Sequence, residues 1–79
     1  MNKQFFIEIT RKVNASWVRW ESETGCFSLS KGTTFPIVGF WESWIICQVE
    51  PKGLFKGNRF WLNRFRHENK IKIVKANHQ

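Results

Sequence analysis

Short runs in which apolar and polar residues alternate recur along most of this chain, and turn-forming Gly and Pro residues separate them. A period of two is the pattern of a β-strand that has one buried face. The clearest runs are residues 4–13, 33–40 and 44–49, and the last of these is apolar enough to predict a central strand. Only residues 62–69 have a pattern that fits a short helical turn. The sequence therefore predicts an all-β fold.

Four more segments complete the predicted sheet. Residues 16–23 and 26–30 alternate in the same way on either side of a Gly-containing turn, which predicts a β-hairpin. Residues 59–63 and 70–75 predict two further strands near the carboxyl end. Pro36 predicts that its strand lies at the edge of the sheet or contains a bulge, because proline has no N–H to donate to a neighbouring strand.

The length of the chain limits how these strands can be arranged. Its 79 residues suffice for one domain, whereas a sandwich of the immunoglobulin kind needs about 100 residues. We therefore predict that residues 1–79 form a single small barrel of five to seven short antiparallel strands, frayed at 76–79. The residues predicted to form its core are Phe5 or Phe6, Ile7, Val18, Ile45, Cys47, Val49, Phe60, Leu62, Ile71 and Ile73.

Three short motifs follow one another in the middle of the chain. Residues 29–40 contain a Lys-Gly-Thr turn and a strand with Gly near its end, residues 44–49 begin with Trp, and residues 60–62 place a second Trp in a later strand. In this succession, over about residues 29–65, the chain resembles the bacterial SH3-like family of small β-barrels. The resemblance implies an SH3-like barrel as the fold. It does not decide the function, because small barrels carry many unrelated activities.

The two cysteines predict free thiols and no disulfide framework. Cys26 and Cys47 are too few for a disulfide framework, and both lie in apolar, strand-like runs. This setting predicts buried, unreactive free thiols. No run approaches the roughly 20 apolar residues that span a bilayer, and Glu8 follows the amino terminus too closely for a signal peptide. The sequence therefore predicts a cytoplasmic protein.

The polar residues form no pattern that indicates catalysis or metal binding. The chain has no Asp and only two His, whereas acid–base and nucleophilic chemistry needs several converging titratable groups. A nucleophilic pair of Cys26 or Cys47 with His67 would need an ionised thiol, which burial disfavours. A structural zinc site needs four ligands in closely spaced pairs, and His67 and His78 are eleven residues apart. The sequence predicts no enzyme activity, no cofactor and no metal.

Positive charge is concentrated in the carboxyl third of the chain. Residues 1–50 carry five basic and five acidic side chains, whereas residues 51–79 carry eight basic side chains and only Glu68, so this third holds the whole net charge of +7. Aromatic residues lie among the cations, in a segment that reads RFWLNRFR at 59–66. Lys and Arg neutralise phosphates, and exposed aromatic rings stack on unpaired bases. We therefore predict that DNA or RNA binds to Lys56, Arg59, Trp61, Arg64, Arg66, Lys70 and Lys72.

A different class of partner is also consistent with the composition. Five Trp in 79 residues exceed what one small core easily buries, and protein interfaces are enriched in Trp and Arg. The alternative prediction is a protein-interaction or inhibitor module that binds an acidic protein through Trp41, Trp61 and Arg64. Trp41 is predicted in a turn, where it either contacts the partner or covers the open end of the barrel. The sequence has no long amphipathic helix of the kind that would predict a membrane partner. It does not predict the oligomeric state.

Overall fold

The computed structural model describes residues 4–76. Their elements are β1 (Gln4–Ile9), a 3-10 helix (Ala15–Trp17), β2 (Arg19–Trp20), β3 (Thr34–Trp41), β4 (Trp44–Val49), β5 (Asn58–Asn63) and β6 (Ile71–Ala76). The six strands form one antiparallel sheet in the order β2-β5-β4-β3-β1-β6, which confirms the predicted all-β fold. No helix in this part of the chain is long and apolar enough to cross a membrane.

The sheet curls around its inner face. Phe35 on β3 and Phe60 on β5 belong to strands that β4 separates, yet their ring centroids are only 5.3 Å apart, edge to face. Strands two positions apart in a flat sheet are roughly 10 Å apart. At the sheet edge, Trp20 of β2 approaches Phe60 to 5.2 Å and Phe27 to 5.3 Å between ring centroids. These contacts make the domain a small, barrel-like fold.

The inner face carries the core that the period-two pattern predicts. Ile45 and Cys47 of β4 and Phe60 and Leu62 of β5 are fully buried, while the residues that alternate with them are not. Burial of apolar surface of this kind is the main favourable term in folding. The buried apolar side chains within residues 4–76 are Ile7, Ile9, Val13, Val18, Leu29, Phe35, Ile45, Cys47, Phe60 and Leu62.

The predicted core is partly confirmed. Six of its residues are buried: Ile7, Val18, Ile45, Cys47, Phe60 and Leu62. Val49 and Ile71 are half-buried and pack against the core. The assignment of Phe5 and Ile73 to the core is wrong, because these residues are 39% and 36% exposed. Ile73 lies on the edge strand β6, and Phe5 precedes the part of β1 that pairs with β3, which begins at Phe6. Phe6 is only half-buried, on the opposite face of β1 from Ile7.

The predicted hairpin of residues 16–23 with 26–30 is wrong. Only Arg19 and Trp20 of the first segment form a strand, and this strand pairs with β5. The second segment contributes a single bridge, between Leu29 and Val13. Both bridge residues are fully buried, so they add to the core that the period-two runs predict.

The side chain of Asn58 explains why the segment after β2 lies alongside the start of β5. This side chain is 4% exposed and makes three hydrogen bonds to the loop. The carbonyl Oδ1 accepts from the backbone N–H of Ser22 at 3.1 Å, and Nδ2 donates to the carbonyl oxygens of Ser22 and Thr24 at 3.1 and 2.9 Å. A buried amide is stable only when such partners satisfy it. Asn58 therefore ties residues 22–24 to the start of β5, an interaction between distant parts of the chain.

The strand that contains Pro36 has a bulge and lies inside the sheet. β3 pairs with β1 on one side, where Pro36 faces Phe6, and with β4 on the other. Its register with β4 shifts between Ile37 and Gly39. The predicted bulge is confirmed, and the alternative of an edge strand is wrong. A bulge leaves one residue unpaired and changes which face the following side chains occupy.

The segment from β5 to β6 forms turns instead of a helix. Asn63 accepts hydrogen bonds at Oδ1 from the backbone N–H groups of Phe65 and Arg66 at 3.1 and 3.0 Å, and its carbonyl accepts from His67 at 3.2 Å. The bond from His67 closes one helical turn, in line with the short helical turn predicted within residues 62–69, and the backbone N–H of Lys70 closes a second turn by donating to the carbonyl of His67 at 2.8 Å. The sequence predicts fraying at 76–79, but Ala76 pairs with Gln4 as the last residue of β6. Residues 77–79 lie outside the described part.

The two cysteines differ in exposure. Cys47 is fully buried on β4, and burial raises the pKa of its thiol to about 12. Cys26 is exposed in the loop after β2, where its Sγ lies 3.3 Å from the carbonyl oxygen of Ser22. The prediction that Cys26 is buried is therefore wrong, because its apolar run does not form a strand.

We expect a thiol reagent to modify one cysteine of the native protein rapidly. Cys26 is accessible, whereas Cys47 is enclosed and its thiol stays protonated. Peptide mapping after a short reaction with iodoacetamide checks this, with a denatured sample as the control in which both cysteines react. Rapid native labelling of Cys47, or none of Cys26, contradicts the expected difference.

Candidate functional site

The outer face of the sheet carries three tryptophans where β3, β4 and β5 lie side by side. Trp41 pairs with Trp44 across β3 and β4, and Ile46 pairs with Trp61 across β4 and β5. Paired residues of antiparallel strands have their side chains on the same face. The residues next to them in β4 and β5 are buried, so these four side chains point away from the core. We call this surface the tryptophan face; its members are Arg19, Trp41, Trp44, Ile46, Arg59 and Trp61.

The bulge in β3 places Trp41 on the tryptophan face. Ile37 packs against the core, and a regular strand would place residues 39 and 41 on the same inner face. The register shift after Ile37 instead sets Trp41 opposite Trp44. As a result Trp41 is 59% exposed. It is the last residue of β3, and it lies on the sheet surface instead of in the turn that the sequence predicts.

Trp61 is held in a defined orientation by its neighbours. Its indole Nε1 donates a hydrogen bond of 2.8 Å to Oε2 of Glu21. Across the β2–β5 pair it faces Arg19. Together with Trp41 and Trp20 these residues line an open cleft of about 560 Å³. Three indole rings and one guanidinium group therefore border a single surface depression.

Two arginines lie on the tryptophan face, and the backbone of a third lies at its end. Arg19 is exposed on β2 beside Trp61, and Arg59 lies two residues before Trp61 on the same face of β5. The Nε of Arg59 donates to Oε1 of Gln48 at 3.1 Å, which orients its guanidinium group. Arg64 follows the end of β5, and its backbone N–H donates to the carbonyl of Ser43 in the β3–β4 turn at 2.9 Å. The backbone of Arg64 therefore lies at the end of the face where Trp41 and Trp44 are paired, whereas its side chain borders a different pocket, with Phe65 and Glu68.

The structure brings together only some of the residues predicted to bind nucleic acid. Arg59 and Trp61 are on the tryptophan face, whereas the side chain of Arg64 borders a different pocket beyond its end. Lys56 is exposed in the connection between β4 and β5. Lys72 is on β6, at the sheet edge opposite β2, where it pairs with Glu8 of β1. Arg66 and Lys70 lie in the β5–β6 connection, beside the 3-10 helix. The predicted site is therefore divided among separate surfaces.

Arg19 and Glu21 belong to this surface but are missing from the sequence prediction. Their half of the chain has no net charge, so composition gives no reason to select them. The alternation in residues 16–23 does indicate a strand, but it does not reveal that the strand pairs with β5. Only the pairing of Arg19 with Trp61 shows that the two side chains are neighbours.

Comparisons with protein-family models, with curated proteins and with solved structures find no match for this chain. The SH3-like resemblance therefore stays a prediction. Within residues 4–76 there is no group of three or more His, Cys, Asp or Glu side chains placed to hold a metal ion. The interpretation of the site rests on the geometry of its own side chains.

Proposed function

We propose that this protein is a non-enzymatic, cytoplasmic module that binds single-stranded nucleic acid across the tryptophan face. The observation that carries the proposal is the exposed ring of Trp41 beside Trp61, with arginines on the same surface. Stacking of an unpaired base on an aromatic ring contributes about 1–3 kcal/mol and needs no particular base. The free cysteines Cys26 and Cys47 support a location in a reducing compartment.

The arrangement suits a strand that crosses the sheet with its bases toward the tryptophans. Arg19 lies across the β2–β5 pair from Trp61, and Arg59 lies two residues before Trp61 on the same face of β5. Their guanidinium groups are placed to neutralise phosphates between stacked bases, and arginine also stacks on planar groups. In duplex DNA the bases are already stacked on one another, so the rings have no free base to contact. The proposal therefore favours single strands over duplexes.

The net charge of +7 adds a long-range attraction to the same partner. A basic protein attracts a polyanion before contact, which accelerates binding and makes it dependent on salt. An acidic partner protein, the alternative, would use Trp41 and Trp61 on the same surface and Arg64 beyond its end. The two partners differ in the salt dependence and in the role of unpaired bases.

We expect labelled single-stranded DNA or RNA to bind more tightly than duplex DNA, with an affinity that falls as salt is added. If Arg19 and Arg59 each neutralise one phosphate, the slope of log affinity against log salt is about −1.4. Fluorescence anisotropy at several salt concentrations measures both properties. Binding no tighter than about 100 μM at low salt, for every oligonucleotide, removes the proposal and leaves the acidic protein as the partner to test.

A further inference from the structure

A second cluster of basic and aromatic side chains lies away from the tryptophan face. Trp17 of the 3-10 helix meets Arg66, His67 and Lys70 of the β5–β6 connection around an open cavity of about 200 Å³. Trp17 and His67 stack nearly parallel, at 17° and 6.2 Å between centroids. The Nζ of Lys70 lies 5.2 Å from the centre of the Trp17 ring. Two cations therefore border one small opening.

His67 is a buried polar group that lacks a partner. Its side chain is only 4% exposed, and neither ring nitrogen forms a hydrogen bond with any described residue. Neutral imidazole always carries one N–H donor and one acceptor. Leaving such a donor unsatisfied away from water costs stability, so native proteins nearly always provide a partner. His67 lines the cavity, but both of its ring nitrogens are closed to solvent, so a group bound there supplies that partner once the neighbouring Trp17 or Lys70 side chain shifts.

The charge around the cavity favours an anion as the group that binds there. Burial lowers the pKa of His67, and the positive charges of Lys70 and Arg66 lower it further, whereas the backbone of Trp17 acts in the opposite direction without reaching either ring nitrogen in hydrogen-bond geometry. None of the residues that line the cavity is acidic. Glu68 lines a different pocket, with Arg64 and Phe65. No carboxylate that lines the cavity balances the two cations.

We propose that this pocket binds a phosphate monoester or inorganic phosphate, with Arg66, Lys70 and the N–H of His67 as its donors. A phosphate monoester carries a charge of about −1.5 to −2 near neutral pH, which matches two cations, whereas a carboxylate or a phosphodiester carries only one negative charge. The cavity is smaller than the roughly 300 Å³ at which pockets for whole drug-sized ligands begin. It therefore suits the phosphate group, with the rest of a ligand outside it near the exposed ring of Trp17.

The phosphate can belong to the end of a nucleic acid strand or to a small molecule. The site itself does not rest on the proposed nucleic-acid function, because its residues are separate from the tryptophan face. Only the use of this site to bind the end of an oligonucleotide rests on that proposed function. The experiment therefore needs one probe of each kind.

The first probe is inorganic phosphate, followed by NMR of the full-length protein at constant ionic strength with chloride as the reference anion. We expect saturable shifts of the His67 ring and Trp17 indole signals and a rise in the pKa of His67, because a bound anion stabilises the protonated imidazole. Arg66→Gln with Lys70→Gln should weaken the affinity tenfold or more, as expected for the loss of charged hydrogen bonds. Lys52→Gln with Lys75→Gln, which removes the same charge elsewhere, should not.

Shifts that do not saturate, that chloride reproduces, or that the Arg66 and Lys70 substitutions leave unchanged overturn the phosphate site. Arg66→Gln alone, at an exposed position, serves if the double variant does not fold. The second probe is a pair of identical oligonucleotides with and without a 5′-phosphate. Preference for the phosphorylated one that needs Arg66 and Lys70 assigns the site to strand ends, and equal binding of both assigns it to small phosphates. Phosphate binding without oligonucleotide binding refutes the proposed function and leaves this site in place.

Discussion

Reversing the charge of Arg19 and Arg59 together is expected to abolish binding of single-stranded nucleic acid. Both guanidinium groups are beside Trp61, one across the β2–β5 pair and one on the same strand. A charged hydrogen bond contributes about 1.5–3 kcal/mol, so the loss of two lowers the affinity by roughly 100-fold or more. Two new carboxylates next to the phosphate path add repulsion to that loss.

The matched control is Lys31→Glu with Lys75→Glu. It changes the net charge by the same amount, at exposed positions in the turn before β3 and on the edge strand β6. If binding depends only on total charge, both double variants weaken it equally. If it depends on the tryptophan face, the Arg19 and Arg59 variant loses far more. Anisotropy titrations of both variants at one salt concentration distinguish these results, and equal losses contradict the assigned surface.

The side-chain alternation within single strands could be predicted from the sequence with good accuracy. Arg59, Trp61 and Asn63 share one face of β5 while Phe60 and Leu62 are buried, as the period of two requires. The buried positions Ile45 and Cys47 follow from the same rule. Local pattern suffices here because neighbouring side chains of a strand must point to opposite faces.

Properties that depend on distant residues could not be predicted in the same way. Residues 22–24 lie alongside β5 because the side chain of Asn58 binds their backbone. No residue near 22–24 in the sequence indicates that Asn58 is their partner. Cys26 is exposed because the segment around it, which the sequence predicts as a strand, does not form one. Ile9 and Phe35 lie in predicted strands yet were not assigned to the core, because the curl of the sheet decides how deeply each inward side chain is buried.

The candidate site shows the same division. The cations of the carboxyl third are visible in the composition, but their separation into the tryptophan face and the His67 cavity depends on the turn at residues 64–70. The outward position of Trp41 depends on one unpaired residue in β3. A bulge shifts the alternation by one position, and the sequence shows only that Pro36 and Gly39 permit one. Strand pairing therefore has to be known before the site can be defined.

Replacing Phe60 by Ala is expected to remove a large part of the stability of the domain, whereas replacing the adjacent Trp61 is not. Phe60 is fully buried and packs on the rings of Trp20 and Phe35 at 5.2 and 5.3 Å between centroids. Truncation of a buried Phe costs about 3–5 kcal/mol, out of a total of about 5–15 kcal/mol for a typical domain. For a chain of this size the loss lowers the melting temperature by at least about 12 °C.

Trp61→Ala removes a larger side chain from the outer face of the same strand, together with its hydrogen bond to Glu21. Because the core under it stays intact, we expect a loss of about 1 kcal/mol in the free energy of unfolding. Binding of single strands should weaken by about 1–3 kcal/mol, the contribution of one stacked base. Thermal unfolding followed by circular dichroism measures the first quantity, and anisotropy at a temperature where the variant is folded measures the second. Equal destabilisation by the two substitutions would mean that Trp61 supports the fold and is not free to stack on a base, and the tryptophan face would then lose one of its two rings beside the cleft.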